Sequence, residues 1–294
     1  MTAEVTTAVF PVAGRGTRFL PATKSLPKEL LILVDRPLIA HAVDEARAAG
    51  IRRFVFVTGP GKGLLEDALE GLFDDTATAP APELVAMVRQ PAPLGLGHAV
   101  WCARGLTGEA PFAVLLPDNV LGPAPGGLAP DPLLGRMIAA RGQAPGSVVA
   151  LRRVPPARTG AYGIAALAPG TDPESESTLR IAGLVEKPAP GQAPSDLAVI
   201  GRYVLDPAVL HRLEGAAPGA GGEIQLTDAL AAEAAAGRVR GLRHAGPRFD
   251  CGAKAGYLQA TVAFALARPD LRGAFRDWLD GLDIDPVPPE RPVS

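Results

Sequence analysis

The sequence contains few cysteines, few histidines and no excess of charge of either sign. Its two cysteines, Cys102 and Cys251, can form at most one disulfide, which argues against a disulfide scaffold and fits reduced thiols in a cytoplasm. The 4 scattered histidines give no ligand spacing typical of zinc sites. The 29 Lys and Arg residues nearly balance the 31 Asp and Glu residues, so no general basic surface indicates a nucleic-acid partner.

Long hydrophobic runs are also lacking. No apolar run reaches the length of a membrane-spanning helix, and residues 1–5 show neither the positive nor the apolar segment of a secretory signal. We therefore expect a cytoplasmic protein that does not contact a membrane. A chain of 294 residues can bury a large core, either as one large domain or as two closely associated ones.

A glycine-rich loop with nearby cations is the most informative segment that is present. The apolar residues 8–12 predict a buried strand, and the loop after it contains Gly14 and Gly16. Glycines let the backbone pass close to a ligand, and successive backbone N–H groups can bind an anion. Three cations follow shortly afterwards, Arg18, Lys24 and Lys28. The segment is therefore suited to hold a triphosphate.

Two commoner phosphate-binding motifs do not fit the sequence. A dinucleotide fingerprint requires a third glycine where Phe19 stands, and Pro21 and Pro27 block the helix that should open there. A Walker-type loop at residues 59–63 would lack both its first glycine and its magnesium-binding hydroxyl. We therefore expect Lys62 to be a solvated residue in front of a helix.

The first half of the sequence alternates between strand and helix patterns. Predicted strands cover residues 8–12, 54–58, 84–89 and 112–116, and predicted helices cover residues 38–49, 63–72 and 97–105. This alternation predicts an α/β fold with a mostly parallel central sheet and helices on both faces. Ligands of such sheets bind at the carboxyl ends of the strands, where the glycine loop, Gln90 and Asp118 are expected.

Strand patterns dominate after residue 147. Predicted strands cover residues 147–154, 163–168, 181–186 and 197–204, and predicted helices cover residues 207–213, 227–236 and 255–266. These strands should extend the same sheet. We place a boundary near residue 145, a Pro/Gly-rich loop over residues 121–130 and a loose, proline-rich tail over residues 283–294.

Short motifs along nearly the whole chain resemble one enzyme family. They are Gly14-x-Gly-Thr-Arg18, Leu20-Pro-Ala-Thr-Lys24 and Pro27-Lys-Glu29, and then blocks at residues 88–90, 95–99, 116–118, 161–163, 185–188, 197–204, 219–228 and 250–252. In this order the motifs are similar to those of the sugar-1-phosphate nucleotidylyltransferases, and among these to members that use UTP and glucose 1-phosphate. The resemblance implies a Rossmann-like fold with a nucleotide-binding half at residues 1–145 and a sugar-phosphate-binding half at residues 146–282.

The reaction implied by this resemblance joins two polyanions. A phosphate oxygen of glucose 1-phosphate attacks the α-phosphorus of UTP, and pyrophosphate leaves in line. The substrate is itself the nucleophile, so the protein has to cancel charge repulsion and hold the groups in line rather than supply a Ser–His–Asp arrangement. Arg18 and Lys28 would bind the triphosphate, and Lys187 would neutralise the attacking phosphate. Lys24 would line the entrance.

The resemblance also implies a nucleotide-binding set. Its members are Ala13, Gly14, Gly16, Thr17, Glu29, Gln90 and Gly95. Gln90 offers both a donor and an acceptor, which matches the edge of uracil, and Glu29 would lie near the base. His98 can be interpreted either as a general base or as a helix-start residue packed beside the nucleotide, and we favour the second interpretation.

The sugar-phosphate site and the metal site implied by the resemblance come from both halves of the chain. The sugar-phosphate site consists of Gly163, Glu186, Lys187 and Val199. Glu186 would accept hydrogen bonds from sugar hydroxyls. Asp118 and Asp250 would bind Mg²⁺, the implied cofactor, because magnesium prefers carboxylate, water and phosphate oxygens.

Two alternatives remain open at the level of the sequence. A related thymidylyltransferase would use dTTP, and the sequence does not show what senses the thymine methyl group or the ribose 2′-hydroxyl. A non-catalytic paralogue that modulates a partner enzyme would be expected to lose Thr17, Arg18 or the acidic pair, all of which are present. Family members form homo-oligomers, which we expect here too. The segment 74–82 is shorter than in family members, a difference that bears on assembly and not on the site.

Overall fold

The structure is a computed structural model that describes residues 4–74, 83–123, 129, 131–174 and 177–282. The short segment that follows residue 74, most of the predicted loop over residues 121–130 and the predicted tail lie outside the described residues. The strands are β1 (Thr7–Pro11), β2 (Ile32–Leu33), β3 (Arg36–Pro37), β4 (Arg53–Thr58), β5 (Leu84–Arg89), β6 (Phe112–Leu115), β7 (Asn119–Leu121), β8 (Ser147–Arg153), β9 (Gly163–Leu167), β10 (Thr178–Glu186), β11 (Leu197–Leu205), β12 (Val239–Arg243) and β13 (Arg248–Asp250). The helices are α1 (Leu38–Ala48), α2 (Gly63–Asp74), α3 (Leu96–Cys102), α4 (Arg104–Thr107), α5 (Leu133–Gln143), α6 (Ala208–Leu213), α7 (Leu226–Ala235), α8 (Lys254–Ala267) and α9 (Pro269–Asp280).

The described residues form a mixed sheet of 9 strands in the order β5-β4-β1-β6-β11-β8-β12-β10-β9. The strands of the first half, β5, β4, β1 and β6, are parallel to one another. β11 joins them antiparallel to β6, and β8 lies antiparallel to β11, so β8 again runs in the direction of β6. The predicted α/β fold, with second-half strands added to the same sheet, is confirmed. The division of the chain into two halves near residue 145 stays a prediction. β11 of the second half pairs directly with β6 of the first half.

Apolar side chains cover both faces of the parallel part of the sheet. Val9 and Val55 belong to the core that includes α3, α6 and α7, whereas Phe10 and Phe56 belong to the core that includes α1, α2 and α5. Neighbouring residues of a strand point to opposite faces, so both sets of alternating positions have to be apolar when helices pack on both sides. This requirement explains the continuous apolar runs that predicted these strands.

Most predicted elements are confirmed, with shifts of a few residues at their ends. The predicted helix over residues 97–105 is instead two helices, α3 and α4, which meet at Ala103. The sequence patterns do not predict α5, α9, β12, the β2–β3 hairpin or the paired strands β7 and β13. Within the described part of the chain, no helix is both long and apolar enough to cross a membrane.

Candidate active site

The glycine loop after β1 folds into short 3₁₀ turns rather than a long helix. These turns cover Thr17–Phe19, Ala22–Lys24 and Lys28–Leu30. Gly16 has a φ of +65°, a left-handed conformation that glycine adopts easily, and its carbonyl accepts a hydrogen bond from the Thr23 hydroxyl at 2.8 Å. A Cβ on Gly14 would lie 3.7 Å from Lys28 Nζ, so the chain returns to place this lysine beside the loop.

Lys28 forms an ion pair with Asp118, which follows β6. The Lys28 Nζ atom donates to Asp118 Oδ2 at 2.6 Å, and both side chains are mostly buried. Burial lowers the pKa of Lys28, but attraction by Asp118 and Glu29 outweighs it, so the pKa lies above its ordinary value. Burial raises the pKa of Asp118, and attraction by Lys28 again outweighs it and lowers the pKa. Both groups are therefore charged at neutral pH.

Asp118 and Asp250 are brought together by the small sheet of β7 and β13. These strands are antiparallel, with Asn119 opposite Asp250, and the Cys251 amide donates to the Asp118 carbonyl at 2.7 Å. A Cβ on Gly252 would lie 3.0 Å from Asp250 Oδ1 and 3.1 Å from Asp118 Oδ2. The same Cβ would lie 2.7 Å from an Arg18 nitrogen, so a side chain here would displace the end of Arg18. Two carboxylates and one guanidinium from three distant segments thus surround one point.

This arrangement bears on the predicted metal site. Among the described residues, no cluster of three or more His, Cys, Asp or Glu side chains has the geometry to hold a metal ion. Two carboxylates lie at this point, those of Asp118 and Asp250. That donor set fits Mg²⁺, which is commonly bound by one or two carboxylates together with water and substrate phosphates.

A cavity beside these carboxylates joins the two halves of the chain. Its lining includes, among the predicted site residues, Arg18, Asp118, Gly163, Glu186, Val199 and Asp250. Glu186 accepts a hydrogen bond from the Thr227 hydroxyl at 2.6 Å. A Cβ on Gly163 would lie 3.1 Å from Glu186 Oε2, so the absence of a side chain there leaves room for this carboxylate. The predicted triphosphate and sugar sides therefore face one common space.

Lys187 lies at the rim of this region in an uncommon backbone conformation. Its φ is +45°, a left-handed value that non-glycine residues seldom adopt, and its amide donates to the Tyr162 carbonyl at 3.0 Å. The side chain is 52% exposed, and its Nζ lies 3.7 Å from Glu186 Oε1. The backbone thus fixes where the lysine leaves the strand, while its ammonium group remains accessible.

Gln90 lies at the carboxyl end of β5, as predicted. Its side chain is buried, and its amide nitrogen lies 3.1 Å from the Gly95 carbonyl and 3.0 Å from His98 Nδ1. His98 is buried at the start of α3, where it holds the glutamine. Nearby, a Cβ on Gly59 would lie 3.1 Å from the Ala13 carbonyl, so two strand ends approach each other closely here. The packing interpretation of His98 agrees with these contacts.

The prediction for Lys62 is wrong, because this residue is buried and not solvated. Its Nζ donates to Glu29 Oε2 at 2.7 Å, and the two side chains are 7% and 1% exposed. Burial raises the pKa of Glu29, and attraction by Lys62 and Lys28 only partly opposes that rise. A buried carboxylate needs a charged partner, and Lys62 reaches inward from its loop to provide one.

The cavity lining also includes polar side chains that are not among the predicted site residues, such as Arg248 and Thr227, although Thr227 lies in the motif at residues 219–228. Arg248 lies over the ring of Tyr162 at 5.5 Å and donates a short hydrogen bond to Asn119 Oδ1, and Thr227 holds Glu186. One signal for Arg248 exists in the sequence: it stands two residues before Asp250, and alternate residues of a strand share a face.

The two cysteines have no part in this geometry as nucleophiles. Cys102 and Cys251 are both free thiols. Burial, together with the nearby carboxylates of Asp118 and Asp250, raises the pKa of Cys251 to about 12, so it is a neutral thiol at physiological pH.

The chain is similar to known proteins over most of its length. Residues 8–265 match the sequence model of the nucleotidyl transferase family. The chain is 43% identical over 288 residues to UTP–glucose-1-phosphate uridylyltransferase of Komagataeibacter xylinus, an alignment that covers 92% of this chain and 95% of that protein. It is 37% identical to a solved UDP-glucose pyrophosphorylase complexed with UDP-glucose, with a TM-score of 0.80 and coverage of 90% of this chain and 100% of that one. A UTP-bound UGPase from Acinetobacter baumannii is also 37% identical, with a TM-score of 0.78 and coverage of 95% and 99%.

Proposed function

The chain belongs to the nucleotidyl transferase family, and from this we propose that it joins UTP and glucose 1-phosphate to give UDP-glucose and pyrophosphate. The observation that carries the proposal is the common cavity, in which Arg18, Asp118 and Asp250 face Glu186. Relatives named for this reaction, and solved neighbours that hold UTP or UDP-glucose, support the choice of substrates.

The proposed step is an in-line displacement at phosphorus. A phosphate oxygen of glucose 1-phosphate forms a bond to the α-phosphorus of UTP, and the bond from that phosphorus to the β-phosphate oxygen breaks. Pyrophosphate leaves with the electron pair, so no protein nucleophile and no redox partner are required.

Charge is the main difficulty of this step. Two like charges 4 Å apart repel by about 4 kcal/mol at an effective dielectric constant of 20, and several such pairs meet here. Arg18 and Lys28, beside the glycine loop, would bind the triphosphate and stabilise the charge of the departing pyrophosphate. Lys187, with its accessible ammonium group, would meet the phosphate of the sugar.

Asp118 and Asp250 would hold Mg²⁺, because their oxygens flank one point beside Gly252. When bound, the ion supplies positive charge to the phosphate oxygens. The ion pair between Asp118 and Lys28 supports a position for this carboxylate beside the cations proposed to bind the triphosphate.

Recognition of the two substrates would use opposite sides of the cleft. Gln90 would read the uracil edge, and the backbone of Ala13, Gly14, Gly16, Thr17 and Gly95, with Glu29 near the base, would complete the nucleotide site. Glu186 would accept hydrogen bonds from glucose hydroxyls, with backbone contacts from Gly163 and Val199. The amide nitrogen of Gln90 donates to the Gly95 carbonyl and lies against His98 Nδ1, which fixes the orientation of the amide and leaves its oxygen to accept a hydrogen bond from the base.

We further propose a cytoplasmic location and a homo-oligomeric state. The free thiols of both cysteines support a reducing compartment. Leu258, Val262 and Trp278 expose apolar side chains on α8 and α9, and association with a second copy through these helices would cover them. Sedimentation of the purified protein tests the assembly.

Pyrophosphate release tests the proposed function. Purified protein with Mg²⁺ and glucose 1-phosphate is supplied with UTP, dTTP, ATP or GTP, and kcat/KM should be highest for UTP. Gln90→Ala should lower kcat/KM for UTP, whereas Gln143→Ala, at an exposed glutamine that ends α5, should not. A purine nucleotide used better than UTP, or no release with any nucleotide, would overturn the proposal. Preference for dTTP would replace UTP with dTTP as the substrate.

A further inference from the structure

A buried ion pair lies behind the active-site edge of the sheet and outside the predicted site. Arg202 in β11 is 1% exposed, and Glu45 in α1 is 4% exposed. Arg202 Nε lies 3.0 Å from both carboxylate oxygens of Glu45, and its Nη2 lies 2.9 Å from Oε2. The pair therefore has the two-pronged geometry that fixes an arginine side chain in one orientation.

The remaining nitrogen of Arg202 contacts the backbone that carries Asp118. Arg202 Nη1 donates to the carbonyl of Leu116 at 3.0 Å. The same carbonyl accepts the Asn119 amide at 3.1 Å, which closes a turn with Pro117 and Asp118 as its central residues. The arginine thus holds the acceptor on which the whole turn depends.

A bulge in β11 packs directly against this turn. The pairing of β11 with β8 changes register between Val199 and Tyr203, and Gly201 within that interval has a φ of +73°. A Cβ on Gly201 would lie 3.0 Å from Asn119 Nδ2 and 3.1 Å from Leu116 Cβ. The Gly201 carbonyl also accepts the Leu116 amide at 3.0 Å. The strand is therefore irregular at the point where it supports the turn.

Stability alone does not account for such a pair. Taking two charges out of water is costly, and replacing a buried ion pair by apolar side chains is often neutral or stabilising. What apolar side chains cannot supply is a donor to the Leu116 carbonyl. We propose that Arg202, oriented by Glu45, is a positioning residue that fixes the Leu116–Asn119 turn and with it the Asp118 carboxylate. The functional meaning of that carboxylate rests on the function proposed above.

The Arg202→Lys variant distinguishes the positioning role of Arg202 from the effect of its positive charge. Lysine keeps the positive charge opposite Glu45 but lacks the planar fork that also reaches Leu116. In the variant, hydrogen exchange of a peptide covering residues 116–121 should be faster. Binding of Mn²⁺ in the presence of UTP, followed by electron paramagnetic resonance, should weaken roughly 10- to 100-fold, the range for removal of a residue that supports a metal ligand. The kcat should fall with it, while KM for glucose 1-phosphate changes little.

Arg141→Lys is the matched control. Arg141 is also a buried arginine, and it pairs at 3.3 Å with Asp206, which follows the end of β11 at the opposite edge of the sheet. This variant should leave exchange at residues 116–121 and Mn²⁺ binding unchanged. If Arg202→Lys does not fold, the double variant Glu45→Met/Arg202→Met removes both charges while filling the space, and the same three readouts apply.

The outcomes distinguish this proposal from the proposed function. A folded Arg202→Lys protein with wild-type exchange at residues 116–121 and wild-type Mn²⁺ binding would overturn the positioning role. A wild-type protein without pyrophosphate release would overturn the proposed function. The exchange comparison would still decide whether Arg202 holds the turn, because it requires no turnover.

Discussion

The lysine side chains on the two proposed sides of the cleft differ in burial and in their ion-pair partners. On the nucleotide side, Lys28 and Lys62 each bind a carboxylate of the protein, at 2.6 and 2.7 Å, and both are largely buried. On the sugar side, Lys187 is half exposed, and the nearest carboxylate, Glu186, bonds to the neutral Thr227. Lys28 and Lys62 are thus held by internal ion pairs, whereas Lys187 keeps an accessible ammonium group, as the exposed Arg18 does its guanidinium.

Removal of Lys62 would have the largest effect, and it acts on stability. Lys62→Met leaves the Glu29 carboxylate buried without its partner, so the free energy of unfolding should fall by about 3–5 kcal/mol. Urea unfolding measures this loss. The double variant Glu29→Gln/Lys62→Met should recover most of it, because no unpaired charge remains. A Lys62→Met protein as stable as the wild type would mean that the nucleotide side does not depend on internal pairing.

Substitution of Asp118 should have the next largest effect, now on turnover. Asp118→Asn removes one of the two carboxylates beside Gly252, and kcat should fall by roughly 10²–10³-fold, the range for loss of one preorganised electrostatic group. Steady-state kinetics at several Mg²⁺ concentrations measure the effect, and circular dichroism should show an intact fold.

The Asp250→Asn variant tests whether Asp250 and Asp118 bind the same ion. A similar fall with a raised Mg²⁺ requirement is expected if both carboxylates hold the same ion. Asp196→Asn, at a surface carboxylate paired with Arg153, provides a control of the same chemistry away from the cleft. Near-normal turnover and an unchanged Mg²⁺ dependence in Asp250→Asn would make Asp250 a structural residue only.

Lys187→Ala tests the open side of the cleft and should have a more moderate effect. The KM for glucose 1-phosphate should rise on the order of tenfold, the size expected for one hydrogen bond to a charged group. Calorimetric binding of UTP alone should change little. Arg180→Ala is the control, at an exposed cation of β10, the strand that precedes Lys187; Arg180 contacts the Pro169 carbonyl. Equal damage to UTP binding would contradict a division of labour between the two sides.

The pH dependence of stability should show the smallest effect. The pKa of Asp118 is lowered, so its contribution is present above its ordinary value of 3.8 and is lost as pH falls through the lower folded value. The pKa of Lys28 is raised, so its contribution is present below 10.5 and is lost as pH rises through the higher folded value. The difference in unfolding free energy between wild type and Asp118→Asn should therefore be constant near neutral pH and shrink towards both extremes. A difference that grows in acid would refute the ion pair.

The parallel half of the fold is readable from the sequence because its strands are apolar on both faces. β12 is not predicted from the sequence, since Arg240 and Arg243 interrupt its apolar residues. β7 and β13 are not predicted either, because they have 3 residues each, too few to display an alternating pattern. Their pairing is nevertheless what brings Asp118 and Asp250 together. The motifs named both carboxylates, but only the antiparallel register explains their meeting.

The internal ion pairs are harder to predict than the motifs. Glu29 and Lys62 are 33 residues apart in the sequence, and nothing in the local pattern around either one indicates the other. Arg202 does leave a trace, because it is a charged residue inside the otherwise apolar run of β11. A charge in such a strand requires a buried partner, although the sequence does not say that the partner is Glu45, 157 residues earlier.

The position of β11 in the sheet has a consequence for the growing chain. β6 pairs with β1 but receives its second neighbour only when residues 202–205 arrive, so during synthesis the parallel half ends in a wholly apolar strand whose outer edge is unpaired. Open edges of this kind invite pairing with other chains. A fragment that ends before β11 would therefore be prone to aggregate. By pairing with β6, β11 also protects the nascent protein from association with other chains.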